Sequence, residues 1–227
     1  MTPSQLKDIF DQQAPSYDAQ WAKTAPIRDA LLYLLDASFA DLPENAHILG
    51  VGVGTGVELV HLAQRHPGWR FTAVEPAAVM LDACRKRAKA EGFSDRCEFV
   101  EGYVDALPAR KAFDAATCFL VSQFILDASA RSQFFAQIQQ RLKPGGLLAS
   151  SDLASDINSP EYEVRLKAWV QMLNSADVPT EMIERIRKAY STDVAVLPPT
   201  QVADIIRAGG FESVVPFYQA GLIHGWV

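Results

Sequence analysis

The 227-residue sequence predicts an α/β fold, a doubly wound, mostly parallel seven-stranded sheet that ends in an antiparallel hairpin. Two observations lead to this prediction. Between residues 46 and 154, short apolar runs alternate with segments of helical spacing, as expected for a parallel sheet covered by helices on both faces. The last two apolar runs are separated by about one residue, so they can pair only as antiparallel neighbours.

Strands are predicted at the apolar runs, and helices where apolar residues recur every three or four positions. The predicted strands are 46–53, 71–75, 97–102, 113–121, 147–153, 211–218 and 220–227. The predicted helices are 57–65, 80–92, 130–142, 160–174 and 179–190, followed by one that starts at Pro198 and Pro199 and ends at Gly209 and Gly210. Gly92 and the Pro144–Gly146 segment end the helices that precede them.

Composition narrows the classes of function. The net charge of −6 and a pI of about 5.2 argue against general binding to a phosphate backbone, which depends on Lys and Arg. No apolar run reaches the roughly 18 residues of a membrane span, and no leader follows Met1, so a cytoplasmic protein is expected. The three cysteines match neither a disulfide framework nor a zinc pair.

A glycine cluster marks the candidate ligand site. Gly52, Gly54 and Gly56 lie where a predicted strand hands over to a helix, so backbone can approach a ligand closely. The spacing fits neither the dinucleotide fingerprint nor the phosphate-binding P-loop. Glu75 ends the next strand and could accept both hydroxyls of a ribose. A nucleotide-like or carboxylate-bearing cofactor is therefore predicted, with a ligand-free tight turn as the alternative.

Several motifs resemble those of the class I S-adenosylmethionine-dependent methyltransferase family, which has a Rossmann-like fold. ILGVGVGTG (48–56) is similar to its first motif, AVEPAAVML (73–81) to its acidic second motif and EGYVDALP (101–108) to its adenine-binding motif. RLKPGGLLASSDL (141–153) resembles the segment leading into strand five, and FDQQAPSYD (10–18) resembles the N-terminal flap. The resemblance covers about residues 8–227 and implies a methyltransferase that uses S-adenosyl-L-methionine.

The resemblance also implies which residues hold that cofactor. The glycines would cradle the methionine part, Glu75 would hold the ribose, and Tyr103 with Val104 would flank the adenine. The full expected set is Tyr17, Gly50, Val51, Gly52, Gly54, Thr55, Gly56, Glu75, Pro76, Met80, Tyr103, Val104 and Leu120. Many family members carry an acid at the position of Gly50, and often an Asp at that of Tyr103. Asp18, Glu75 or backbone carbonyls would have to compensate for these missing carboxylates.

Methyl transfer from a sulfonium requires alignment and exclusion of water more than an acid or a base. No catalytic residue is therefore certain, and the candidates are Gln123, Tyr17 and His224. The expected substrate-binding residues are Tyr17, Trp21, Gln123, Tyr218 and His224. Simple packing of Tyr17 and Trp21, and a structural role for His224, are the alternatives. No metal site is expected.

The expected domain has four parts, which are an N-terminal helical flap (1–45), a cofactor-binding core (46–154), a helical substrate cap (155–200) and a last helix turn with the terminal hairpin (201–227). Their net charges are −4, +1, −2 and −1. The three acidic segments outside the core are expected to cover the site, and their charge favours a small-molecule methyl acceptor, uncharged or cationic, over nucleic acid. The tail also resembles the carboxy-S-adenosylmethionine synthase branch, so a tRNA-modification enzyme and a non-catalytic cofactor-binding module stay as alternatives. The oligomeric state is open, with a homodimer included.

Overall fold

The computed structural model describes residues 1–173 and 179–227. Within these ranges the sheet contains β1 His47–Val51, β2 Arg70–Glu75, β3 Cys97–Glu101, β4 Phe113–Phe119, β5 Leu142–Leu153, β6 Pro216–Ala220 and β7 Ile223–Trp226. The α-helices are α1 Pro3–Gln13, α2 Tyr17–Trp21, α3 Ala25–Ser38, α4 Val57–Arg65, α5 Ala78–Ala90, α6 Ala128–Gln139, α7 Pro160–Leu173, α8 Thr180–Thr192 and α9 Pro199–Ala208. None of these helices is long and apolar enough to cross a membrane.

The strand order confirms the predicted mixed sheet. The order is β3-β2-β1-β4-β5-β7-β6, with parallel pairing from β3 through β5 and antiparallel pairing of β7 with both β5 and β6. The order reverses at β1, whose two neighbours are β2 and β4. In open α/β sheets this reversal is where loops diverge and leave a crevice at the carboxyl ends of the strands.

Apolar residues packed on both faces of the sheet hold the helices in place. Leu31 of α3, Leu59 of α4 and Leu81 of α5 belong to one core. Phe135 of α6 and Val202 of α9 belong to the other. These residues are almost fully buried. Apolar residues at helical spacing are the pattern from which α4 and α6 were predicted.

Several predicted boundaries in the second half of the chain are wrong, including the start of β7, which is Ile223 rather than residue 220, and the end of α6, which is Gln139 rather than residue 142. β5 begins at Leu142 rather than at residue 147, because Leu142 pairs with Phe113 and the register then shifts before Ala115. β6 begins only at Pro216, so residues 211–215 are not strand as predicted. A proline cannot donate a ladder hydrogen bond and is tolerated at the first residue of an edge strand. Residue 174, the last of the predicted helix 160–174, lies outside the described residues.

Candidate functional site

A cavity of about 230 Å³ opens at the carboxyl ends of the parallel strands. Gly52 and Gly54 after β1, Glu75 at the end of β2, Tyr103 after β3 and Leu120 after β4 all line it. Parallel strands bring these loops to the same edge of the sheet, so residues far apart in the sequence meet there. The N-terminal helices α1 and α2 also contribute to the lining.

The glycine loop between β1 and α4 has backbone that side chains would not tolerate. Gly54 has a φ of +53°, and a Cβ added there would meet no atom within 4 Å, because its bare face looks into open space. Gly56 has a φ of +80° and a Cβ there would lie 2.4 Å from the Sγ of Cys84. Gly54 therefore leaves room in the cavity, and Gly56 lets α5 pack closely.

The missing acid at Gly50 has a packing explanation. A Cβ at Gly50 would lie 2.5 Å from the Cγ1 of Val53 and 3.2 Å from the Cδ2 of Leu59. An Asp or Glu at this position would point into that apolar contact unless Val53 moved. Asp18, a proposed substitute, is engaged elsewhere, accepting a hydrogen bond from the Thr55 hydroxyl at 2.7 Å and pairing with Arg87.

Glu75 joins the ends of β1 and β2 through its carboxylate. Oε2 accepts from the Gly54 N–H and Oε1 from the Ala77 N–H, both at 2.9 Å. The residue is only 6% exposed. Burial raises the pKa of Glu75 above its usual value, while the two backbone hydrogen bonds act in the opposite direction. Each oxygen keeps acceptor capacity for a further donor, since a carboxylate oxygen has about two lone-pair sites.

Side-chain contacts of Asp11 and Asp18 hold the N-terminal helices α1 and α2 over the cavity. Asp11 of α1 accepts from the Val79 N–H at 2.8 Å and so holds α1 against the first turn of α5. Asp18 of α2 binds Thr55 of the glycine loop and Arg87 of α5. These contacts connect α1 and α2 directly to the segments that surround the cavity.

Tyr17, the first residue of α2, lines the cavity. Burial, and secondarily the charge of Glu75, raises the pKa of Tyr17 to about 12. The phenol is therefore protonated at neutral pH and can donate a hydrogen bond. Its ring contacts Phe10 at 6.4 Å and Trp21 at 6.2 Å between centroids. Of these two neighbours, Phe10 lines the cavity, and Trp21 is 39% exposed and outside the lining.

The loop after β4 carries the clearest backbone strain in the described chain. Leu120 has a φ of +58°, which is unusual for a residue other than glycine, and its N–H donates to the Ser151 carbonyl at 2.7 Å. Behind it, Asp152 accepts from the Ser122 hydroxyl and the Gln123 N–H and pairs with Arg131, and both members of that ion pair are fully buried. Strain of this kind persists only where the surroundings fix it, and it occurs at functional sites.

Most of the predicted cofactor-binding residues come together in the cavity lining. They are Tyr17, Val51, Gly52, Gly54, Glu75, Pro76, Met80, Tyr103, Val104 and Leu120. Gly50, Thr55 and Gly56 lie behind the loop, where they shape it without lining the cavity. The roles assigned to all of these residues stay predictions.

Four predicted substrate or catalytic residues lie outside the lining: Trp21, Gln123, Tyr218 and His224. Gln123 is buried, and its Oε1 accepts from the Leu153 N–H at 2.7 Å. Tyr218 donates to the Ile27 carbonyl at 2.7 Å. His224 faces Asp152 in the β5–β7 pairing, and burial lowers the pKa of its imidazole. The side chains of Gln123 and Tyr218 thus make structural hydrogen bonds in their observed positions.

Other lining residues were not predicted from the sequence. They include apolar groups of α1, the loop after β4 and α6, together with one base and one acid: Pro3, Leu6, Lys7, Phe10, Phe124, Ile125, Leu126, Phe134 and Asp193. Pro3, Leu6 and Phe10 are spaced three and four residues apart, which places them on one helical face. That spacing was the signal available in the sequence, whereas nothing local to Asp193 indicates a cavity.

Comparisons with known proteins agree with this geometry. The Methyltransferase domain family matches residues 48–146. The ubiquinone/menaquinone biosynthesis C-methyltransferase UbiE of Paracoccus denitrificans is 35% identical over 75% of this chain and 68% of its own length. The carboxy-S-adenosyl-L-methionine synthase of Dichelobacter nodosus is 26% identical over 99% of this chain and 94% of its own length.

A solved structure of similar fold comes from Nostoc punctiforme, described as a putative O-methyltransferase. It aligns with a TM-score of 0.68 at 13% identity and covers 96% of this chain, which spans 59% of that longer chain. The strand order and the alignment with this structure show that the chain has a Rossmann-like methyltransferase fold. On the similarity to UbiE and the domain match, the chain belongs to the class I S-adenosylmethionine-dependent methyltransferase family.

Proposed function

We propose that the protein transfers a methyl group from S-adenosyl-L-methionine to a small, largely apolar acceptor. When bound, this cofactor supplies an electrophilic methyl group on a sulfonium. The observation that carries the proposal is the continuity of one cavity, which joins the glycine loop and Glu75 to an apolar region beneath α1. A cofactor and an acceptor could therefore meet within a single covered space.

The residues present fit the cofactor. The bare face of Gly54 leaves the space that a close-lying ligand needs, and Glu75 has free acceptor capacity for ribose hydroxyls. Met80 and Val104 are buried apolar surfaces for an adenine, and Tyr103 adds a partly exposed ring. Tyr17 and Leu120 would border the methionine part. Because position 50 is a glycine and not an acid, Glu75, which is hydrogen-bonded to Gly54, supplies the carboxylate at the glycine-loop end of the cavity.

The acceptor side is apolar. Phe10 contacts Phe124 with ring centroids 5.5 Å apart, and Ile125, Leu126 and Phe134 continue the surface. Such a surface would hold a planar apolar molecule and keep water away from it. The chain's contribution to the reaction is then positioning by α1, α2 and the loop after β4, with no proton transfer required of Gln123 or His224.

The four-part division of the chain fits this proposal. The flap (1–45) supplies Phe10 and Tyr17 to the cavity, the core (46–154) supplies the glycine loop and Glu75, and the cap (155–200) supplies Asp193. We infer that the flap and the cap enclose the acceptor. Their negative net charges then disfavour an anionic acceptor such as RNA.

A carboxy-S-adenosylmethionine synthase activity is the second candidate, since the Dichelobacter enzyme aligns over nearly the whole chain. The cavity favours it less. Among the described lining residues the one cationic side chain is Lys7, which is already paired with Asp11 at 3.0 Å. An added carboxylate on the cofactor would thus enter a space whose described lining offers it no unpaired cationic side chain, at a cost in desolvation.

Calorimetry and mass spectrometry test the proposal. We expect S-adenosylmethionine and S-adenosylhomocysteine to bind the purified protein, and we expect labelled methyl groups to appear on a member of a panel of small apolar acceptors. No heat of binding from either compound at millimolar concentration would refute the proposal. A carboxylated cofactor recovered from the purified protein would favour the synthase, and binding without turnover on a broad panel would favour the non-catalytic module.

A further inference from the structure

The charge distribution of the cavity narrows the class of acceptor, given that the proposed function holds. The carboxylates among the described lining residues are Glu75 and Asp193. Glu75 accepts two backbone hydrogen bonds. The half-buried Asp193 has no ion pair and no side-chain hydrogen bond within the described residues.

The main chain around Asp193 is fixed. Its N–H donates to the Ala189 carbonyl at 2.8 Å where α8 ends. Two residues further on, the Ala195 N–H donates to the Gln123 carbonyl at 2.7 Å, and the Ala195 carbonyl accepts from Arg131 at 3.2 Å. Arg131 itself is paired with Asp152, so it does not neutralise Asp193.

The residues of the loop after β4 that line the same cavity as Asp193 are apolar. Phe124, Ile125 and Leu126 belong to the loop after β4, and Gln123 of the same loop holds the Asp193 segment through Ala195. A partly desolvated carboxylate without a partner is unfavourable, and a cation or a strong hydrogen-bond donor on a ligand would relieve that cost. An anionic group in the same place would be repelled.

We propose that Asp193 determines acceptor specificity by binding a protonated amine on an acceptor whose apolar, planar body lies against Phe10 and Phe124. Asp193 is thus a recognition residue that contacts the acceptor at a distance from the glycine loop. Because backbone hydrogen bonds hold the main chain of Asp193, only its short side chain need be ordered by the ligand, and this partial preorganisation favours selectivity between amines and acids.

The test measures binding of matched probes to protein saturated with S-adenosylhomocysteine. The probes are 2-phenylethylamine, 2-phenylethanol and phenylacetate, which share a ring and differ in charge. We expect the amine to bind at least about tenfold more tightly than phenylacetate to the unmodified protein, as one charge-assisted hydrogen bond implies. Asp193→Asn should lower the amine's affinity by about tenfold and leave that of the alcohol within about twofold.

Asp95→Asn is the matched control, since Asp95 is exposed, precedes the amino end of β3 and lies outside the lining. It should leave all three affinities unchanged. Equal loss of amine binding in both variants, an unchanged amine-to-acid ratio in Asp193→Asn, or no binding of the amine at all would overturn the inference. Failure of the proposed function is read separately in the unmodified protein, either as absence of S-adenosylhomocysteine binding or as binding without methyl transfer to any acceptor of the panel.

Discussion

Substituting Ala for Gly54 or for Gly56 should separate ligand binding from packing in the glycine loop. Both residues have left-handed backbone, and this conformation costs a residue with a Cβ about 1–2 kcal/mol. At Gly54 the added Cβ meets nothing within 4 Å, so no other penalty is expected. A penalty of this size lowers the melting temperature by about 2–8 °C in a domain of this length.

At Gly56 the added Cβ would lie 2.4 Å from Cys84 Sγ. Overpacking adds about 1–3 kcal/mol to the backbone cost, so Gly56→Ala should lower the melting temperature by about 4–20 °C. Removing the sulfur should relieve the contact. The Gly56→Ala/Cys84→Ala pair should therefore show a favourable coupling of about 0.5–3 kcal/mol in a double-mutant cycle.

The effects on cofactor affinity should be ranked in the opposite order. The methyl group added by Gly54→Ala would project into the cavity, whereas the methyl group added by Gly56→Ala would point toward α5 and away from the cavity. Calorimetry with S-adenosylhomocysteine should show a loss of at least about tenfold, or about 1.4 kcal/mol, for Gly54→Ala and a smaller loss for Gly56→Ala. Unchanged affinity in Gly54→Ala, or absence of coupling to Cys84, would refute this explanation of the loop.

Three further substitutions test the surroundings of the site. Asp152→Asn leaves buried Arg131 without its counter-charge and should lower the free energy of unfolding in urea by about 3–5 kcal/mol. Burial raises the pKa of Glu58 in the folded protein to about 7, so the stability that the protonated side chain provides is lost as pH rises through 7. Glu58→Gln should therefore raise the melting temperature at pH 8 but much less at pH 5. Asp18→Asn breaks the partly exposed contact with Arg87 and should speed release of S-adenosylhomocysteine in stopped-flow by up to about fivefold.

Each of these expectations has a contradicting outcome. Asp152→Asn that unfolds at the same urea concentration as the unmodified protein would show that the ion pair is dispensable. A melting-temperature gain in Glu58→Gln that is equal at both pH values would show that ionisation of Glu58 is not the cause. An unchanged release rate in Asp18→Asn would show that α2 does not control exit from the cavity.

The strand, glycine loop and helix of residues 46–65 are predictable from sequence because their signals are local. An apolar run, alternate glycines and helical spacing follow one another within a short stretch, and Gly56 directly precedes α4 as expected. Glu75 could be placed for a related reason. The end of β2 must lie beside the end of β1 in a parallel sheet, and the hydrogen bond to Gly54 follows from that proximity.

Long-range partners explain what could not be predicted. Gln123 looked available for substrate, but its amide oxygen is held by the Leu153 N–H, a contact that depends on how β5 sits beside the loop. The place of Asp193 in the cavity lining depends on α8 ending beside that same loop, and no local sequence pattern indicates this. The start of β5 at Leu142 was missed because pairing with Phe113 overrides the turn character of Pro144 and Gly145.

A crystal structure of the protein grown with S-adenosylhomocysteine tests the central claim most directly, because it locates the ligand as well as detecting it. We predict density for the ribose within hydrogen-bonding distance of Glu75, for the amino-acid part against Gly52 and Gly54, and for the adenine beside Tyr103 and Val104. Density at another surface, with this cavity still closed by α1 and empty, would contradict the account.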